Sequence, residues 1–202
     1  MLYCGIPQVH RKGGILLKKV IFALMMALVL WGCSGSNEGF DRAMALRTSL
    51  LNGQGCQFEA KISADFGDRT YTFLMDCMSD GEGNLHFTVK EPMYIEGITG
   101  TIQAQGGKLT FDDTALAFPL MAEGISSPVS GPWILITALR SGYVRYCGEE
   151  DGLFRMTVDD SFQENALTLD IWLSVEQGPV QADIYEENRR IMGIEIKNFQ
   201  IR

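Results

Sequence analysis

The sequence contains very little histidine and none of the short motifs that hold metal ions. Among 202 residues there are two histidines, His10 and His86, and neither Cys-x-x-Cys nor His-Glu-x-x-His occurs. A histidine base also needs a positioned Ser or Cys and an orienting carboxylate, and no motif supplies them. The sequence therefore predicts a protein that is not an enzyme and has no metal or cofactor, with His86 on the exposed face of a strand.

Residues 1–32 lack acidic side chains, and they also lack a hydrophobic run long enough to cross a membrane. Four cations precede an apolar run of twelve residues, 20–31, whereas a spanning helix needs about 20. This arrangement is typical of a secretory leader, so residues 1–32 are predicted to be a signal peptide. Because residues 1–17 are long and mixed for the basic part of a leader, we expect translation to begin near Leu16 or Leu17.

The leader ends in Leu30-Trp31-Gly32-Cys33, which resembles the lipobox of bacterial lipoproteins. The resemblance implies that the Cys33 sulfur receives a diacylglyceryl group and that the leader is cut before it. Residues 33–39 would then be the lipidated cysteine and a short linker. Since two acyl chains hold a protein stably on a bilayer, the expected location is the extracytoplasmic face of the cell membrane. The alternative is an ordinary signal peptide, or an uncleaved anchor, with an incidental Cys33.

The charge of the remaining chain is strongly acidic. Four of the 17 cations lie in the leader, so its removal leaves 13 against 25 acids, a net charge of −12. Such a domain is not expected to bind nucleic acid through phosphates or an anionic bilayer through its surface. Contact with the membrane is therefore expected to come from the lipid on Cys33.

The hydrophobic pattern changes period after residue 52. Apolar residues in 40–51 fall at helical spacing, which predicts an amphipathic helix of about three turns. From residue 56 to 65 apolar and polar side chains alternate, which predicts a half-buried strand, and the alternation recurs to residue 201. Turn signals predict hairpins between successive strands at residues 66–67, 106–107, 151–152 and 178–179.

A second helix interrupts the strands at residues 132–140. Pro132 suits its first turn and Gly142 suits its end, and the residues between them have almost no polar face, which indicates burial. No long helices separate the other strands, so a parallel sheet is not expected. The predicted fold is mainly β (α+β), a large curved antiparallel sheet or half-barrel enclosing a buried helix, with an amphipathic helix at its N-terminal side.

Three cysteines remain beyond Cys33. If residues 66–67 form a two-residue loop, Cys56 and Cys77 lie directly opposite each other on the core face. A disulfide between them is one interpretation, since oxidising compartments permit it. The alternative is that both, together with Cys147, are reduced core residues, because directly opposed strand positions strain a bridge.

The order of elements and the segment 87–97, Phe-Thr-Val-Lys-Glu-Pro-Met-Tyr-Ile-Glu-Gly, resemble the LolA/LolB-like half-barrel proteins. The resemblance covers residues 40–202 and extends to lipoproteins of spore-forming Gram-positive bacteria, including GerS-type germination lipoproteins. In LolA and LolB the cupped sheet holds acyl chains of lipoproteins. By that analogy, the expected ligand-binding residues are Lys90, Met93, Tyr94, Met121, Trp133 and Ile136.

The resemblance leaves two functions open. The first is a non-catalytic binding domain for an apolar ligand or a lipoprotein acyl chain. The second is an interaction scaffold of the cell envelope or spore that recruits a partner enzyme, in which the buried helix fills the cup. Exposed sheet edges also permit a homodimer by strand addition. A filled cup favours the scaffold, and an open cup favours the carrier.

Overall fold

The computed structural model describes residues 38–65, 67, 69–111, 114–118, 121–122, 125–163 and 165–202. In this part of the chain the α-helices are α1 (Glu38–Asn52) and α2 (Gly131–Ser141). Short 3-10 helices cover Met93–Ile95 and Pro128–Ser130. The β-strands are β1 (Gly55–Asp65), β2 (Thr70–Asp80), β3 (Leu85–Glu91), β4 (Thr99–Gln103), β5 (Gly106–Phe111), β6 (Thr114–Phe118), β7 (Met121–Ala122), β8 (Ile125–Ser126), β9 (Tyr143–Glu150), β10 (Leu153–Asp159), β11 (Thr168–Ser174), β12 (Gly178–Glu186) and β13 (Arg189–Ile201).

Eleven of these strands form one antiparallel sheet. Its order is β6-β5-β4-β3-β2-β1-β13-β12-β11-β10-β9, while β7 and β8 pair separately. Neighbours in the sheet are mostly neighbours in sequence, and β1 pairs with β13 to join the two halves. The predicted fold class, mainly β with one large antiparallel sheet and a buried helix, is confirmed.

The period-two alternation places one apolar face of the sheet, the inner face, against the helices. On β1 the inner residues Phe58, Ala60, Ile62 and Ala64 are all buried, and the corresponding residues of β3 and β10 to β13 are buried in the same way. Helix α2 packs into this face with most of its residues buried. The predicted burial of the helix is therefore confirmed, and its apolar surface closes the core of the domain.

The two helices satisfy each other's C-terminal carbonyl groups. Arg47 on α1 donates from Nε to the carbonyl of Leu139, at 2.9 Å, and from Nη2 to that of Gly142, at 2.8 Å. In return, Arg140 on α2 donates from Nη1 to the carbonyl of Leu50, at 2.9 Å. The last carbonyls of a helix lack partners within it, and cations are favourable there. This exchange fixes α1 against α2.

Three of the predicted turns are displaced. The β1–β2 pairing joins Asp65 to Thr70, so the connection spans 66–69 rather than two residues. The β4–β5 turn lies at 104–105, before the predicted 106–107, and the β11–β12 turn at 175–177, before 178–179. The reason is that registers differing by an even number of residues place the same side chains inward, so alternation could not choose between them. The turn at 151–152 is confirmed.

Candidate functional site: the aromatic end of the sheet

The predicted ligand-binding residues do not converge on one cavity. Ile136 is 1% exposed and belongs to the core, while Trp133, near the start of α2, is half-buried. Lys90 lies on the opposite, outer face, where its Nζ is 2.9 Å from Asp76 Oδ2, and this contact raises the pKa of Lys90. Met121 begins β7, and its side chain lies outside the described residues.

Met93 and Tyr94 are the members of that set that form an exposed apolar feature. They are 87% and 79% exposed and form the tip of the connection between β3 and β4. Adjacent exposed apolar side chains of this size are one feature of interaction surfaces. The sequence resemblance predicted this tip together with Ile136 and Lys90, which the structure places in the core and on the outer face.

Strand register shows which other residues share the end of the sheet on which this tip lies. A row of paired residues runs from Val144 on β9 through β10 to β13 to Ala64 on β1, and from there to Tyr71 on β2. The connections beyond this row are 66–69, 92–98, 160–167 and 187–188. We call this side of the sheet the aromatic end, because it carries the exposed or partly exposed side chains of Tyr71, Met93, Tyr94, Tyr143 and Phe162.

Two aromatic pairs stiffen the aromatic end. Tyr71 and Phe73 on β2 are stacked, with ring centroids 6.5 Å apart and an interplanar angle of 15°. Tyr143, at the start of β9, packs against Phe162 in the following β10–β11 connection. Such pairs contribute about 0.5–1.5 kcal/mol beyond area burial. Each pair therefore holds an exposed tyrosine in place at this end of the sheet.

The interior of the cup is filled by the protein's own side chains. Leu135, Ile136 and Leu139 of α2 are at most 1% exposed, and so are Ile171 and Ile184 on the sheet. A ligand that entered this region would have to displace α2. Leu116 differs, since it lies on the inner side of β6 and is 63% exposed, so the described residues cover the β6 side of the inner face less.

The start of α1 lies toward the other end of the sheet. A Cβ on Gly39 would come 3.2 Å from Phe154 and 3.5 Å from Cys147, and the Arg42 guanidinium lies 4.4 Å from the centre of the Phe154 ring. Phe154 is close to the β9–β10 turn at 151–152. The N-terminal side of the domain therefore emerges beside this acidic hairpin, away from the aromatic end.

The cysteines are not aligned as the sequence predicted. Cys56 pairs with Ser79 and Cys77 with Phe58, two residues from the predicted register, and both thiols are free. Burial raises the pKa of Cys56 to about 12 and raises that of Cys77 still further. Both side chains are inner-face core residues. Cys33 lies outside the described residues.

A charged network around two buried aspartates on the outer face of β10 to β13 gave no signal in the sequence. Arg155 donates from Nη2 to Asp170, at 2.9 Å, and Thr157 donates from Oγ1 to the same carboxylate, at 2.6 Å. Arg190 Nη2 lies 2.7 Å from Asp183 Oδ1, an ion pair without the alignment of a hydrogen bond. Burial, and then the charges of Asp183 and Asp170, raise the pKa of Tyr185. The aspartates were not distinguishable in sequence from ordinary outward-facing strand residues.

The described side chains form no arrangement with an evident catalytic or metal-binding role. His86 is on the exposed face of β3, as predicted, and its Nδ1 lies 3.1 Å from Thr101 Oγ1. Within the described residues, no group of three His, Cys, Asp or Glu side chains is placed to hold a metal ion. None of the helices in that part of the chain has the length and apolar character needed to cross a membrane.

Comparison with known proteins finds distant structural similarity. The chain matches no protein-family model and has no significant sequence match among curated proteins. Its structure is similar to crystal structures of an uncharacterized conserved protein from Thermus thermophilus, with 8% identity over 80% of this chain and 86% of that one and a TM-score of 0.46. It is also similar to a LolA superfamily protein from Nitrosomonas europaea, with 9% identity, 79% and 93% coverage and a TM-score of 0.44. A third is the lipoprotein LppX of Mycobacterium tuberculosis, with 9% identity, 78% and 93% coverage and a TM-score of 0.38. No ligand or activity follows from similarity at this level.

Proposed function

We propose that the chain is a lipid-anchored, extracytoplasmic interaction domain that binds a partner protein through its aromatic end, without catalysis. The observation that carries the proposal is the filled cup: α2 occupies the inner face. A deep acyl-chain cavity is then absent from the centre of the described domain, while large apolar side chains remain exposed at one end. Exposed aromatic and methionine side chains are enriched at sites for protein partners.

The position of the N-terminus supports the same proposal. Cys33 precedes Glu38 by five residues, which reach about 17 Å when extended. A lipid on Cys33 would hold the start of α1 and the acidic β9–β10 hairpin near the bilayer. The seven residues of β10 span about 20 Å toward the other side. The aromatic end then faces away from the membrane, where a partner can approach it.

A site-specific photocrosslinker tests this proposal in the anchored full-length protein. Replacing Tyr94 by p-benzoylphenylalanine is expected to trap one defined partner in the native envelope. Val175 is the matched control, since it is also strongly exposed but lies at the opposite end of the sheet. The proposal fails if position 94 gives no discrete product, or if both positions give the same products.

Lipid anchoring is tested separately. Radiolabelled palmitate is expected to enter the wild-type protein and not a Cys33→Ser variant, and the variant is expected to leave the membrane fraction. Equal labelling of the two proteins, or an unlabelled wild type that stays in the cytosol, would remove the anchor from the proposal. The partner contact at Tyr94 could still be measured in that case.

The second candidate function is the binding of an apolar ligand, and the exposure of Leu116 favours it. Leu116 pairs with Leu109 and both continue the inner face beyond Phe87 and Gly100. An acyl chain along this strip would remove apolar surface from water, at about 0.8 kcal/mol for each methylene. Fluorescent fatty acid should then bind the wild type, bind Leu116→Lys weakly and bind the matched Leu51→Lys normally. No binding to any of them excludes ligand carriage.

A further inference from the structure

A polar cleft on the outer face of the sheet is separate from the aromatic end. It has a volume of about 660 Å³ and crosses β1 to β5, on the side away from the helices. Clefts of roughly 300–1,000 Å³ are the usual size of small-molecule sites. The volume of the cleft therefore suits a small molecule, and its side chains determine which class of ligand fits.

The cleft is lined by four threonine hydroxyl groups, two of which have no hydrogen-bond partner among the described residues. Thr88, Thr99, Thr101 and Thr110 line it from three neighbouring strands. His86 contacts the Thr101 hydroxyl, and Thr99 makes a long contact of 3.5 Å to a backbone carbonyl. The hydroxyl groups of Thr88 and Thr110 make no hydrogen bond to any residue that the structure describes. Each hydroxyl can both donate and accept, so the cleft offers free groups of both kinds.

An irregularity in β13 adds an amide to the wall of the cleft. The register between β1 and β13 shifts between Gln57 and Glu59, so that Asn198 and Phe199 together face Phe58. Phe199 keeps the inward position, with its ring centroid 5.7 Å from that of Phe58. Asn198 is the extra residue, has φ of 55°, and lines the cleft. Bulges commonly redirect a side chain in this way.

The carboxylate and ammonium groups that line the cleft are few and of both signs, namely those of Glu59, Asp76 and Lys108. Asp76 is paired with Lys90 at 2.9 Å, and Glu59 is paired in register with Lys197 on the adjacent strand. Lys108 adds one cation without an ion-pair partner among the described residues. A strongly charged ligand would therefore gain little. A peptide strand also cannot be added here, because strand addition requires a free sheet edge rather than a face.

We infer that this cleft binds an uncharged glycan, recognising hydroxyl and acetamido groups through the threonine hydroxyls and the Asn198 amide. A saccharide presents many donors and acceptors at short intervals, and neighbouring strands place side chains about 4.8 Å apart. The assignment rests on this match in spacing between the hydroxyl groups of a saccharide and those of the threonine side chains. The site goes beyond the proposed function, since the cleft and the aromatic end lie on different surfaces.

The test is isothermal titration of the full chain in detergent with two related sugars. The probe is the uncharged N-acetylglucosamine tetrasaccharide, and the comparison is its fully deacetylated, cationic counterpart. The first is expected to bind and the second to bind at least tenfold more weakly. No heat from the acetylated sugar at millimolar concentration, or equal binding of the two, overturns the inference.

Variants of the cleft locate the binding. Thr88→Val removes a free hydroxyl, and Asn198→Gly removes the amide while permitting the positive φ. Each is expected to weaken binding roughly three- to tenfold, the usual effect of one hydrogen bond, with an unchanged melting temperature. Thr72→Val, on the exposed outer face of β2 beyond the cleft, is the matched control. Unchanged affinity in both cleft variants overturns the inference. Crosslinking of a partner protein to residues of the cleft also overturns it. Failure of crosslinking at Tyr94 leaves this result unaffected.

Discussion

Asp170 and Asp183 lie directly opposite each other on β11 and β12, although each residue is only 8% exposed. Like charges at opposed strand positions are destabilising, and burying a carboxylate is costly without a partner. Arg155 and Arg190 supply the partners from either side. Arg155 also contacts Glu150, at 2.9 Å. The outer face of β10 to β13 therefore depends on a network of five charged side chains rather than on isolated surface ion pairs.

Removal of Arg155 is expected to destabilise the domain. In Arg155→Met the Asp170 carboxylate stays buried next to Asp183, and we expect the free energy of unfolding to fall by about 2 kcal/mol. Adding Asp170→Asn should restore part of the loss, because it removes the unpaired charge. Urea denaturation measures both. Lys61→Met is the control, since the Lys61–Glu195 pair is exposed and should change stability by less than about 1 kcal/mol.

Gly193 is predicted to matter because it leaves room for Arg190. A Cβ at this position would overlap the Arg190 guanidinium and lie 3.2 Å from Asp183 Oδ1. Gly193→Ala should displace the arginine and lower stability by about 1 kcal/mol, much as Arg190→Ala does. The double variant should be no less stable than either single variant, because both act on one ion pair. Gly81→Ala, where a Cβ meets ordinary contacts, is the control, and fully additive losses would contradict this interpretation.

The buried thiols predict a stability loss at alkaline pH. Burial raises the pKa of Cys56 from 9.0 to about 12, so the folded state holds a proton that the unfolded state releases above pH 9. This contribution is complete below the unfolded pKa and is lost as pH rises toward the folded value. Between pH 8 and pH 10 the wild type should lose about 1.4 kcal/mol more than Cys56→Ala. An equal loss in both proteins would show that burial does not raise the pKa of the Cys56 thiol.

Thiol counting checks the cysteine arrangement independently. Three reactive thiols in denaturant, for a chain acylated at Cys33, are expected if Cys56, Cys77 and Cys147 are all reduced as in the structure. One thiol would instead support a Cys56–Cys77 bridge. In the native protein Cys56 and Cys77 should react slowly with thiol reagents, since the thiolate is the reactive form.

The sequence was sufficient to predict the strands and helices whose hydrophobic pattern determines which side faces the core. The alternation of β1 fixes its inner face, and the helix at 131–141 has almost no polar face, with seven of its eleven residues buried. It could not fix register, because moving β2 by two residues keeps every inner residue inward. For this reason the predicted opposition of Cys56 and Cys77 was wrong while the predicted strands were correct.

The candidate sites were less predictable, because they depend on which strands become neighbours. Asp170 and Asp183 are thirteen residues apart, and no motif joins them; they become a pair only in the β11–β12 register. Tyr94 and Phe162 share one end of the sheet for the same reason. Ile136 and Met93 were predicted as parts of one site, whereas the structure places Ile136 in the core and Met93 on the surface. An apolar side chain that fills a core and one that meets a ligand are identical in sequence.

Substitutions of Ile136 and Met93 test directly whether α2 fills the cup. Ile136→Ala should lower the free energy of unfolding by about 2–5 kcal/mol, because it leaves a cavity among fully buried neighbours. Met93→Ala should change it by no more than about 0.5 kcal/mol, since Met93 is exposed. In crosslinking from Tyr94, Met93→Ala should reduce the yield of the partner product. A small loss of unfolding free energy for Ile136→Ala, together with tighter fatty acid binding, would instead indicate that a ligand can displace α2.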